Sequence, residues 1–218
     1  MEKQVKRADL EKFMKLEEPK RNRILNAAMK EFRYGYKKAS TDEIVKGAGI
    51  SKGLLFHYFV SKEQLYTFLI RFASDLLMRD YFDVLSQYQQ DILEGFWQMA
   101  LLKKNITTQY PFIYDFINGL YVHAADIPNA EIIAQLEQEE QLYAEFYEHC
   151  DAGLFRDDID HKKAIEIISC TLDNLLDNEE AKAITAGGWK GDEYEQFLAN
   201  LRGYLEIFRT CFYKEKKE

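Results

Sequence analysis

"GAGISKGLLFHYFVSKEQL", residues 47–65, decides the fold, because it sets one helix end and two helix starts around a glycine turn. Gly49 is the stop of one short helix, and Ser51 stands two residues later as the cap of the next. Ser61 with Gln64 then forms a capping box that opens a longer helix. Just upstream, Ser40 and Glu43 make a capping box of their own, with Asp42 and Glu43 at the positive end of the helix dipole and Ile44, Val45 and Ala48 facing inward. Short helices joined by a glycine-containing turn cross steeply instead of lying antiparallel, which is helix-turn-helix geometry.

Working outward, residues 19–34 carry Pro19 in a first turn, an apolar stripe of Ile24, Leu25, Ala28 and Phe32, and Gly35 as a left-handed stop. From Gln64 to about Arg79 a longer amphipathic helix is expected, with Leu65, Phe68, Leu69, Phe72, Leu76 and Leu77 inward. Further helices are expected near 91–108, 111–125, 129–150, 161–178 and 192–213, with loops at 124–129 and 185–192. Almost nothing alternates with period two, so the fold class is all-α with about nine helices. The expected organisation is a helix-turn-helix domain at 1–64, of which 1–18 form a flexible arm, followed by a larger helical domain at 65–218.

Hydrophobic residues make up 47% of the 218-residue chain and aromatic residues 14%, enough for substantial cores. No stretch reaches the roughly 18 apolar residues that span a bilayer, and the charged start carries no secretion signal, so a cytoplasmic protein with no membrane partner is expected. Cys150, Cys170 and Cys211 have no metal-ligand spacing and read as reduced core or interface residues. There is no Gly-rich phosphate loop, no H-E-x-x-H and no G-x-S-x-G elbow, so neither catalysis nor a cofactor or metal is expected. Charge divides the chain. Residues 1–65 hold 15 Lys and Arg against 9 Asp and Glu, a net of +6, whereas 66–218 hold 14 against 28, a net of −14. A basic first third suits a polyanion, and the acidic remainder would point away from it.

An α-helix fits the major groove of B-DNA and reads base edges with its N-terminal residues, here Ser51, Lys52, Gly53 and Leu54. Ser51 and Lys52 supply donors, Gly53 permits close backbone approach and Leu54 suits a thymine methyl. Leu55 and Phe59 would face the other way, onto Ile24, Phe32 and Ile44. Ser40, Thr41, His57, Tyr58 and Lys62 are donors at the flanking helix ends and are candidates for phosphate contacts.

The ordered set Ile24, Ala27, Ala28, Phe32, Gly35, Thr41 with Ile44, the run Ala48 to Gly53, then Tyr58, Phe59 and Ser61 to Glu63 resembles the DNA-binding domain of the TetR/AcrR family of bacterial transcriptional repressors. The resemblance covers about a fifth of the chain. It implies a homodimer on a near-palindromic operator in double-stranded DNA, with a C-terminal helical domain that holds a small-molecule inducer. Two departures occur: Val45 stands where a small alanine is frequent, and Phe56, which has no hydroxyl for a phosphate, where a tyrosine is frequent.

The acidic two thirds add two expectations. Wide apolar stripes on 161–178 and 192–213, including Ile165, Ile168, Leu172, Leu175, Leu198, Leu201, Leu205 and Phe208, suggest a dimer interface. Residues 95–125 are ring-rich and poor in charge, and Trp97, Met99, Phe112, Phe116, Tyr121 and His123 are the candidates to line an apolar or aromatic ligand's pocket. The function expected is therefore a dimeric one-component repressor released by a small molecule. The rivals are a DNA-binding protein of the same fold without an inducer, acting as an architectural factor or through a protein partner, and a helical interaction module.

Overall fold

The computed structural model describes residues 7–88, 90–123, 150–186, 189 and 192–215. Among these residues the chain is all-α: α1 Arg7–Met14, α2 Glu18–Phe32, α3 Thr41–Ala48, α4 Lys52–Phe59, α5 Lys62–Tyr88, α6 Ile92–Gln109, α7 Ile113–Val122, α8 His161–Ala186 and α9 Glu193–Phe212. A 3-10 turn at Ala152–Leu154 and an isolated bridge between Phe155 and Tyr213 complete the regular structure there.

The helix expected at 129–150 falls, Cys150 apart, outside the described residues, as do the loop at 124–129 and half of that at 185–192, whose Thr185 and Ala186 instead end α8. α5 runs past its expected end near Arg79, and α8 past residue 178, because neither stretch meets a Gly or Pro to stop it. Residues 7–14, expected within a flexible arm, instead form α1. Its Phe13 is fully buried, edge-on to Tyr58 and Phe59 of α4 and to Phe68 of α5. Burying such a ring stabilises by roughly 1.5–3 kcal/mol, which offsets the ordering of a short, charged segment.

Packing groups the described residues into two units, Met1–Leu77 with Ile106–Glu137 and Met78–Asn105 with Gln138–Glu218. The boundary expected at 64/65 falls inside the first. In that unit α1 packs on α4, and α2 packs on both α3 and α7. Its core holds Ile24, Leu25, Phe32, Ile44, Leu55, Phe59, Tyr66 and Phe116, all with essentially no exposure. Tyr66 sits between Phe32 and Phe116, at ring distances of 4.8 and 6.0 Å, and so joins α2, α5 and α7. An ion pair of 3.3 Å between Arg33 and Asp115 adds a polar tie between α2 and α7.

In the second unit α8 packs on α9 around Phe96, Phe155, Ile168, Leu172, Phe197 and Leu201. Tyr194 donates to the Ala100 carbonyl at 3.0 Å, and burial pushes its phenol well above the usual range. Asp91 caps α6 by accepting from the Leu93 and Glu94 amides, and also accepts from Arg209 at 3.1 Å and from the Tyr213 hydroxyl at 2.9 Å. One carboxylate thereby fastens the end of α9 to the start of α6.

Candidate nucleic-acid interface

The turn between α3 and α4 is built by local backbone chemistry. Gly49 is left-handed, at φ 65° and ψ 39°, and its N–H donates to the Lys46 carbonyl, while the Ile50 N–H reaches the Val45 carbonyl at 3.0 Å. Both bonds together make a Schellman motif, which satisfies carbonyls the helix end would leave open. Ser51 is extended, and its Oγ accepts from the Leu54 amide at 3.2 Å, starting α4 as the sequence requires.

An eight-residue helix is marginal alone, so α4 depends on its buried face. Leu55, Tyr58 and Phe59 are buried, and Ile44 and Ala48 on α3 are buried in the same unit. The opposite face leaves Ser51, Lys52, Gly53 and His57 exposed, with Leu54 half-buried. The four N-terminal positions expected to read bases thus lie together at one accessible tip.

The flanking candidates divide. Ser40 caps α3, its Oγ accepting from the Glu43 amide at 3.4 Å, and Thr41 follows, half-buried. The capping box is only half formed: the Ser40 N–H donates to Glu31 at 3.2 Å, and Glu43 pairs with Lys46 instead. Tyr58 is only 8% exposed, its ring edge-on to Phe13 and His57, and so serves chiefly as core. Lys62 opens α5 half-buried, its Nζ 4.6 Å from the centre of the Tyr36 ring, and this burial lowers the ammonium below the usual lysine value.

Three participants were not expected from sequence. Tyr36 supports Lys62, and Asp42 reaches Lys52 with its Oδ1 2.8 Å from Nζ. Val60, which ends α4, has φ 56° and ψ −42°, and the Phe59 carbonyl accepts from the Ser61 amide across it. That is a γ-turn, strained for a β-branched residue. No spacing rule signals any of the three.

The two remaining candidate sets fare differently. Phe116 is fully buried in the first unit, Tyr121 is 48% exposed, and Phe112 and His123 are half-buried, the latter against Gly35. Phe112 lies beneath Lys30 and Arg33. Trp97 and Met99 are half-buried in the second unit, where Trp97 stacks under Arg202 beside a cleft of about 190 Å³. Phe112, Phe116, Tyr121 and His123 thus belong to the first unit and Trp97 and Met99 to the second. Of the eight interface candidates, Ile168, Leu172, Leu198, Leu201, Leu205 and Phe208 are buried in the chain's own core, and Ile165 and Leu175 pack against it. The outward stripes of α8 and α9 hold other residues: Ile167 and Cys170 on one, Tyr204, Ile207 and Cys211 on the other. Stripe width alone predicted the helices but not which side the core claims.

With this geometry in view, residues 24–67 match the family model described as "Bacterial regulatory proteins, tetR family". Residues 24–67 thus resemble a TetR-family domain. They take in α3, the glycine turn and α4, together with most of α2 and the first turns of α5. The HTH-type transcriptional regulator UidR of Escherichia coli (strain K12) is 26% identical over 130 residues, which are 59% of this chain and 63% of UidR. The chain therefore spans about 63% of the length of the curated relatives it matches. Solved structures share the fold beyond the TetR-family domain. A TetR family transcription regulator from Marinobacter aquaeolei VT8 aligns with TM-score 0.54 and 19% identity, covering 90% of this chain and 96% of its own. One from Chloroflexus aurantiacus J-10-FL aligns with TM-score 0.52 and 18% identity, covering 94% and 98%. A gamma-butyrolactone receptor (ArpA like protein) aligns with TM-score 0.52 and 22% identity, covering 87% and 98%. Among the described residues no helix is long and apolar enough to cross a membrane.

Proposed function

We infer that the protein is a transcriptional regulator that represses by binding a near-palindromic operator as a homodimer and lets go when a small apolar or aromatic molecule binds. One observation carries this reading: α4, capped by Ser51 and braced from behind by Leu55, Phe59 and Phe13, presents Ser51, Lys52 and Gly53 at an exposed tip inside a TetR-family domain. A helix presented in this way enters the major groove with those residues against base edges. Ser40 and Thr41 at the start of α3, His57 at the end of α4 and Lys62 at the start of α5 are the candidates for phosphate contacts, which their positions at helix ends support.

The dimer is supported by the exposed apolar stripes of α8 and α9. Ile167 is 50% exposed and Ile207 58%, with Tyr204 beside the latter on α9. Two copies joined there would present two recognition helices to half-sites about 34 Å apart or a multiple of it. An effector is supported by the ring-rich stretch that supplies Trp97 and Met99, and a protein of like fold is a gamma-butyrolactone receptor. Such a ligand releases DNA by preferring a conformation that spoils the half-site spacing.

The test is selection of duplexes from a random-sequence pool by the purified protein, followed by gel shifts. A recovered inverted repeat, bound at least about a thousandfold more tightly than scrambled duplex, supports the reading, and failure to enrich any sequence overturns it. Release of that duplex by one member of a small-molecule library supports the inducer, whereas release by none favours the inducer-free regulator.

A further inference from the structure

Lys52 is the first residue of α4 and Asp42 the second of α3, so their 2.8 Å ion pair spans the glycine turn and lies on the face that carries the reading residues. Both side chains are substantially exposed, at 50% and 72%. An exposed pair of this kind adds little to folding stability. Nor does α3 need Lys52 to keep an acid in its first turn, since the helix dipole already favours one there. The neighbouring acid behaves differently: Glu43 pairs with Lys46 on its own helix, at 3.4 Å. Asp42 alone of these two holds a lysine of the recognition helix.

Resting on the regulatory function inferred above, we propose that Asp42 is a specificity-determining residue, whose carboxylate clasps Lys52 and cancels its charge toward phosphates. Binding to DNA of any sequence grows with the number of phosphates neutralised. A clasped Lys52 brings its own negative partner to that surface and so adds almost nothing there. An ammonium has three N–H donors, however, and Asp42 Oδ1 takes only one. The other two stay free for a guanine's O6 and N7, which accept them without breaking the clasp. Lys52 therefore contributes on the operator and is silent elsewhere, and Asp42 widens the gap between the two by weakening the wrong complexes.

Asp42→Asn tests this, because it removes the charge and keeps the shape. Binding is measured by fluorescence anisotropy at 50 and 200 mM salt, on a duplex selected by the wild-type protein and on its scrambled counterpart. The variant is expected to hold scrambled DNA more tightly, with a salt slope steeper by about one unit, equivalent to roughly a threefold change across that salt range. Its affinity for the selected duplex changes less, so the ratio of the two falls. Glu43→Gln removes the same charge one residue along and is expected to leave the ratio unchanged. In a Lys52→Gln background Asp42→Asn should lose its effect. Thermal unfolding of each variant confirms that it folds. An unchanged ratio in Asp42→Asn, or an equal fall in Glu43→Gln, overturns the proposal while leaving the function standing. A wild-type protein that selects no duplex overturns the function itself, and the proposal with it.

Discussion

Gly119 of α7 lies so close to the Arg33 carbonyl at the end of α2 that a Cβ on it would collide with that oxygen. Backbone meets backbone here, and no side chain can swing aside. Gly119→Ala is therefore expected to push α7 off α2 and cost about 1–3 kcal/mol, lowering the melting temperature by several degrees. A melting temperature equal to wild type would show that α7 shifts freely along α2.

The neighbouring Arg33–Asp115 pair sets two effects against each other. Burial pushes the Asp115 carboxyl above its usual value and Arg33 pulls it down, with burial the larger. A raised folded value means that the bound proton favours the folded state at pH below the unfolded value of about 3.9, and that this contribution is lost as pH rises through the folded value. The stability of wild type relative to Asp115→Asn should thus fall as pH climbs from about 4 to 7, as followed by urea unfolding. A difference that grows with pH would mean that the attraction to Arg33 outweighs burial.

Val60 holds a positive φ between α4 and α5 and is 53% exposed, so little packing would be lost on removing its side chain. Val60→Gly relieves a strain of roughly 1–2 kcal/mol against a smaller gain in unfolded-chain freedom. A net stabilisation of about 0.5–1 kcal/mol is expected in denaturant titrations. A destabilised variant would show that the γ-turn is comfortable for valine in this setting.

Lys62 is expected to leave the Tyr36 ring for a phosphate when DNA binds. Lys62→Ala should then weaken selected and scrambled duplexes alike and flatten the salt dependence by about one unit of slope. The same slope as wild type would place its ammonium on Tyr36 in both states.

Ile207→Glu and Leu201→Glu separate the outer face of α9 from the inner one. Ile207 is 58% exposed and Leu201 1%. The first substitution should yield a folded monomer by light scattering with unchanged helical circular dichroism, and the second should unfold the chain, since a charge cannot be buried unpaired. A folded dimer in the Ile207 variant would move the interface elsewhere.

The helix ends that build the candidate interface were legible in sequence because their determinants act over three or four residues. Ser51, Ser61 and Gly49 each satisfy a nearby backbone group as expected, although the box at Ser61 is half formed, its N–H going to the Phe59 carbonyl and not to Gln64. The capping box at Ser40 shows the limit of such reasoning. Its forward bond forms, but Glu31, nine residues back along the chain, takes the Ser40 N–H that Glu43 was expected to hold. Phe13 shows the same limit in a stretch that composition marks only as charged: Arg7–Met14 folds because α4 and α5 offer its ring a place.

By itself, then, the order of residues determined the helices of the described residues, a basic first third, a glycine turn at Gly49 and a short helix capped by Ser51. Backbone hydrogen bonding and helical periodicity are properties of neighbours in sequence, so they survive without knowledge of the rest. Only tertiary structure decided that Lys52 rests on Asp42, that Lys62 rests on Tyr36, and that Leu201 faces the core while Ile207 faces solvent. Those outcomes depend on which surfaces meet when helices pack, and a side chain's partner across such a contact is set by position in space and not by spacing along the chain.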